Sequence, residues 1–144
     1  MSQALDLTTQ VPRSPRFVLG GYIIAARALD KCRAVLAGTA GEYHYDCPLD
    51  NIFFEFTGIS SDDFKTFVET GADDEAVAKW ITENAKEQTK EEIVVWNNSL
   101  RYKRVSEMPE NLQVFLEDYI AEFIPANKIV YYWFDVYDIE EGRI

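Results

Sequence analysis

One segment limits what this chain can fold into more than any other. It is the run YIIAARALDKCRAVLA, residues 22–37. Projected at about 100° per residue, Val18, Tyr22, Ala25, Leu29, Cys32 and Leu36 fall on one stripe, and Ile24, Ala28 and Val35 carry the apolar surface past a half circle. A helix this apolar has to be covered on most sides, and its alanines let neighbours come close. Gly38 follows where a left-handed residue ends a helix. The expectation is an all-α fold built around a buried central helix over residues 22–37.

The rest of the chain supplies the neighbours. Pro48 opens a helix with Leu49, Ile52, Phe53 and Phe56 on one side and Gly58 past its end. Ser60 with Asp63 is a capping-box signature ahead of Phe64, Phe67 and Val68, and Gly71 stops that helix. Asp73 suits the N-cap of a fourth helix carrying Val77, Trp80, Ile81 and Asn84, and Thr89 with Glu92 precedes Ile93, Trp96, Asn97 and Leu100. Pro109 opens the most regular pattern in the chain: Leu112, Phe115, Leu116, Tyr119, Ile120, Phe123 and Ile124, with Glu110, Gln113, Glu117, Asp118 and Glu122 on the solvated side, ended by Pro125. Residues 129–138 are two-sided. By composition they read as a strand, by spacing as a helix, with Ile129, Tyr132, Trp133, Val136 and Tyr137 at i, i+3, i+4, i+7 and i+8 and Asn127 as its cap. With no clear partner strand, a short helix is expected. The result is a compact bundle of about seven helices in a single domain over 1–144, with residues 1–14, polar and carrying Pro12, as an extended arm. At 144 residues such a domain buries enough surface to need neither metal nor disulfide.

Charge narrows the partners. The formal net charge is −11, and residues 59–144 hold 19 of the 25 acids. Such a surface repels phosphate backbones, so no nucleic-acid role is expected. The Arg101, Lys103 and Arg104 cluster sits where cations favour a helix C-terminus. No apolar run is long enough for a membrane span, and the start lacks the pattern of a secretion signal. A cytoplasmic setting is therefore expected, with Cys32 and Cys47 reduced.

Several short segments resemble a known family: PRSP at 12–15, LGG at 19–21, DKCRA at 30–34, AGTAGEYHYDCPLD at 37–50, FTGI at 56–59, WN at 96–97, WFD at 133–135 and EGR at 141–143. Together they are similar to a bacterial family catalogued as domain of unknown function 5069, almost end to end. The resemblance implies a bacterial, helical, single-domain protein. It brings no activity, so it assigns no catalytic residue.

Chemistry has to be sought in the residues themselves. Glu42, His44, Asp46 and Cys47 lie within six positions, and His44 is the sole histidine, hence the natural general base near neutral pH. The alternative is that the loop packs while Asp46 or Cys47 caps the next helix. A metal set of His44, Cys47, Cys32 and Asp46 or Asp50 falls short of the closed Cys/His sets zinc prefers, so no metal or other cofactor is expected. Arg27, Asp30, Lys31 and Arg33 form the one polar sector of the central helix. Local i,i+3 pairs with Asp30, or partners among Glu42, Asp46, Glu55 and Asp135, would satisfy them, as would an acidic ligand held by Arg27 and Lys31. The expectation is that the 42–47 loop lies over this arc, with Arg27 or Lys31 meeting Glu42 or Asp46. Trp80, Trp96 and Trp133 read as core, Asn97 as a buried amide needing partners, and Arg143 as a salt-bridge lock of the last helix onto the body or a charge in a cleft. Arg27, Asp30, Lys31, Trp96, Asn97, Trp133 and Arg143 are the candidate binding residues. The leading reading is a binding domain for a small molecule or a protein. The rivals are a small enzyme with His44 as base and Glu42 or Asp46 orienting it, and a structural or oligomerisation role marked by an exposed apolar patch.

Overall fold

The computed structural model describes residues 4–144, and its fold is all-α. Seven α-helices follow in order: α1 (Ala25–Ala37), α2 (Pro48–Thr57), α3 (Ser61–Val68), α4 (Asp74–Asn84), α5 (Lys90–Arg101), α6 (Glu110–Phe123) and α7 (Trp133–Glu140), with a 3₁₀ turn at Val105–Glu107. The chain divides into two compact units, Met1–Thr89 and Lys90–Ile144.

In the first unit, α1 is buried along most of its length, and even Arg27, Asp30 and Lys31 are no more than 4% exposed. It starts three residues later than its apolar pattern predicts. Leu19 and Tyr22 exchange backbone hydrogen bonds of 2.9 and 3.1 Å across Gly20 and Gly21, whose φ values are 62° and 91°. Two left-handed residues in a row are what a two-residue turn of this hand requires. Ile24 then takes φ 72°, a conformation a β-branched side chain reaches only under strain. Its N–H donates to the Pro15 carbonyl at 2.8 Å and its side chain is fully buried. Packing and that hydrogen bond hold the strain and keep residues 22–24 out of the helix.

The caps of α2, α3 and α4 follow the expected residues. Cys47 precedes Pro48 at the start of α2, and Gly58 ends it in a left-handed conformation. The side chains of Ser60 and Asp73 accept from the N–H groups of Asp63 and Ala76. The core between these helices is aromatic: Phe53 lies 5.7 Å from Tyr22, Phe54 lies 5.5 Å from Phe64, and Phe64 lies 6.0 Å from Trp80. The expected arm is docked rather than loose over its described part, residues 1–3 lying outside it. The Leu7 N–H donates to Thr39 O at 2.8 Å, Leu7 is buried, and Gly41 passes so close that a Cβ there would lie 2.9 Å from the Leu7 carbonyl oxygen.

The second unit holds α5 to α7. Val105, Met108 and Leu116 form one cluster with Ile120, Val130 and Trp133 against it. Ile124, Val136 and Ile139 form another. Residues 129–138 are helical only in their second part. Tyr132 is extended, it forms an isolated bridge with Arg104, and Trp133 N–H donates to Lys103 O at 2.8 Å. The helix therefore begins at Trp133 rather than Ile129. Its start is set by Asp135, whose Oδ2 accepts from the N–H groups of Tyr131 and Tyr132 at 3.0 Å each, and not by Asn127. No helix among the described residues is long and apolar enough to cross a membrane.

Candidate functional site

The polar arc of α1 is satisfied from outside its own helix. Asp30 makes no local pair with Arg27 or Arg33. Its Oδ1 and Oδ2 accept from Nη2 and Nε of Arg13, both at 3.0 Å, and Oδ2 also accepts the Arg13 backbone N–H at 2.8 Å. Arg13 reaches on to Asp74 at 2.8 Å, which Arg33 engages from the other side at 2.8 Å. The Arg27 guanidinium donates to the Arg13 carbonyl at 3.2 Å and sits over the Tyr43 ring, 5.7 Å from its centre. Burial opposes ionisation of Asp74, yet hydrogen bonds from Arg13 and Arg33 outweigh it and hold that carboxyl below its ordinary value. Burial likewise works against the charge on Arg13, and its contacts with Asp30 and Asp74 raise its pKa all the same. An open cleft of about 520 Å³ lies over this network, lined by Leu5, Arg13, Asp30, Arg33, Asp73, Asp74 and Glu75. All four oxygens of Asp30 and Asp74 are already engaged within it, so the network fastens the arm and α4 onto α1.

Lys31 does pair with a carboxylate, but not one from the 42–47 loop. Its Nζ lies 2.9 Å from Asp50 Oδ1, with the two side chains 4% and 0% exposed, and it also donates to Cys47 Sγ at 3.2 Å. Asp46 takes φ 63°, which turns its N–H onto Asp50 Oδ2 at 3.0 Å. The loop thus meets α1 through Cys47 and Tyr43, while Asp50, the first-turn acid of α2, is the counter-ion. Loop carboxylates near in sequence were the expected partners, but Glu42 and Asp46 are exposed. Only Asp50 enters the interior, carried there by the buried face of α2.

His44 is exposed as well, and among the described residues no hydrogen bond or ion pair joins it to Glu42, Asp46 or Cys47. The orienting contact a histidine base needs is not formed here. Of the two thiols, burial pushes Cys32 up to about 12. Tyr45, whose hydroxyl donates to Ser61 O at 2.7 Å, is raised chiefly by burial and next by Cys32. No three His, Cys, Asp or Glu side chains among the described residues gather as a metal-ligand set.

The remaining candidates lie in the second unit. Asn97 is buried and Trp96 half-buried on α5. Trp133 packs at 5.1 Å from Phe134. Arg143 folds back on its own helix, with Nε 2.6 Å from Asp138 Oδ1 and Nη2 on Glu141. Both contacts lie within the C-terminal segment itself.

The feature that sequence reasoning placed wrongly is the face of α6. Leu112, Phe115 and Phe123 lie on the apolar side, opposite the side expected to be solvated, yet they are 41%, 60% and 53% exposed, while only Leu116 and Ile124 of the pattern are buried. The apolar arc of α6 spans roughly half its circumference at 100° per residue, and its contacts in the unit reach Leu116, Tyr119, Ile120 and Ile124. Exposed Phe115 and Phe123 flank half-buried Tyr119 in an aromatic ladder, with Phe115 6.0 Å from Tyr119 and Tyr119 4.7 Å from Phe123. The Tyr119 hydroxyl donates to both oxygens of Glu140, at 2.6 and 2.5 Å. Burial and then this bond raise its pKa. Unusual width of the apolar arc, past what one neighbour covers, was the available signal.

The sequence profile of a family described as a domain of unknown function (DUF5069) matches residues 9–143, so the chain belongs to that family. No curated protein matches the chain.

Proposed function

We propose that this member of the DUF5069 family is a protein-binding domain that docks a partner on the uncovered face of α6. The observation that carries the reading is the seam of Leu112, Phe115 and Phe123, three large apolar side chains exposed side by side along one helix. Contiguous apolar surface of this kind on a soluble chain marks an interaction site more often than scattered exposed residues do, and aromatic anchors contribute most at such sites. The rival readings have less behind them. The cleft over Arg13 and Asp74 offers a small molecule groups that already bind one another, and His44 lacks the neighbour that would orient it as a base. With its acidic surface the domain is unsuited to nucleic acid.

A photo-reactive phenylalanine analogue placed at position 115 tests the reading in living cells, with the same analogue at exposed Glu69 as the control. The expected result is one discrete adduct with another polypeptide from position 115, lost when Phe123→Ser is added. Identical patterns from the two positions would refute it.

A further inference from the structure

Resting on the α6 docking reading, we infer that the occupant of that face is a cationic amphipathic helix of a different protein. The shape of the seam sets the form of the partner. Leu112, Phe115, Tyr119 and Phe123 stand at i, i+3, i+7 and i+11, a straight apolar line roughly 16 Å long at 1.5 Å per residue. A line of that spacing matches another helix laid along it through its own i, i+3, i+7 positions.

Charge then selects among helices. The α6 sequence ENLQVFLEDYIAEF holds four carboxylates and neither Lys nor Arg. Asp118 and Glu122 border the seam on its solvent side, both exposed, and the Tyr119 bond brings exposed Glu140 beside it. No basic residue occupies the last turn of α6, so the negative end of its dipole is not offset by its own side chains. Every charged side chain of α6 itself therefore has one sign. A second copy of this chain would set Asp118 and Glu122 against their own equivalents, and like charges facing each other disfavour a pairing strongly. An anionic bilayer meets the same repulsion. Lys and Arg side chains instead satisfy the rim, lay their apolar stems along the seam and place cations against the aromatic faces.

The probe is a displayed library of 18-residue helices with leucines at the seam spacing and flanking positions varied among Lys, Arg, Glu, Gln and Ser. It is panned on the full chain and, in parallel, on the Phe115→Ser/Phe123→Ser variant. Sequences retained by the native chain alone are expected to be enriched in Lys and Arg at the flanks. Their binding should weaken with salt and fall roughly tenfold in Asp118→Lys/Glu122→Lys, as reversal of two rim charges implies. Retained helices with neutral or acidic flanks, or affinities unchanged by the charge reversal, would overturn the inference and leave the docking face standing. If the native chain retains nothing beyond the serine variant, the docking reading falls too. A concentration-dependent dimer that the serine substitutions abolish, or flotation with phosphatidylserine vesicles, would each name another occupant and overturn the cationic helix.

Discussion

Lys31→Met isolates the energetics of the buried ion pair at the heart of the first unit. Lys31 Nζ and Asp50 Oδ1 stand 2.9 Å apart with almost no exposure on either side chain. Methionine keeps most of the lysine stem, so packing changes little, and what disappears is the charge. Asp50 is then left as a buried carboxylate held by the Asp46 N–H at 3.0 Å. Losing one member of a buried pair costs about 3–5 kcal/mol. At about 2–4 °C per kcal/mol for a chain of this size, the melting temperature should fall by roughly 6–20 °C. Asp50→Asn, which still offers an oxygen to the Asp46 N–H, should cost a similar amount by stranding the ammonium. The two together, Lys31→Met/Asp50→Asn, leave no unpaired charge, so the double variant should lose less than either single one and give a coupling of about 3 kcal/mol or more. Urea unfolding followed by far-UV circular dichroism measures all four proteins. A loss below about 1 kcal/mol in the single variants would mean that the pair is solvated, and additive losses would mean that the two groups do not interact. Either result refutes the reasoning.

Four further outcomes are expected. The Asp74 carboxyl ionises below the ordinary 3.8 in the folded chain; a depressed folded value adds stability that is fully present above the unfolded value and lost as pH falls through the folded one. Asp74→Asn should therefore flatten the acid limb of stability against pH, and an unchanged limb would count against the Arg13–Asp74–Arg33 contact. Gly41→Ala places a Cβ 2.9 Å from the Leu7 carbonyl oxygen at a φ of 60°, so hydrogen exchange at the Leu7 amide should speed up selectively; equal protection in both proteins would show that the arm tolerates the shift. Leu116→Ala should cost about 2–5 kcal/mol as a core truncation, whereas Phe115→Ser and Phe123→Ser should each change stability by less than about 1 kcal/mol; large losses at 115 or 123 in thermal melts would mean that the seam is covered within the chain. Native alkylation at about pH 8, where reaction follows the thiolate and its access, should modify half-buried Cys47 and spare Cys32, as peptide mass mapping would reveal; fast labelling of Cys32 would contradict its burial.

Much of this protein was legible in the order of its residues, because local rules decide it. Apolar spacing marked the seven helices, Gly38 and Gly58 marked ends where a left-handed residue is needed, and Ser60 and Asp73 marked starts where orphan N–H groups need an acceptor. Each of these depends on neighbours a few positions away. The partners of α1 did not. Asp30 binds Arg13 and Lys31 binds Asp50, pairs that only the packing of the arm and α2 against α1 brings together, whereas chain proximity favoured Arg27, Arg33 and the 42–47 loop. The start of α1 was likewise hidden, since strain at Ile24 is borne by a hydrogen bond to Pro15 and by burial, both tertiary. So was the candidate site. An apolar stripe on α6 reads the same whether it is core or surface, because periodicity records which side of a helix is apolar and not whether anything covers it. Only the packing of α6 in its unit decides that Leu116 and Ile124 are buried while Phe115 and Phe123 remain exposed.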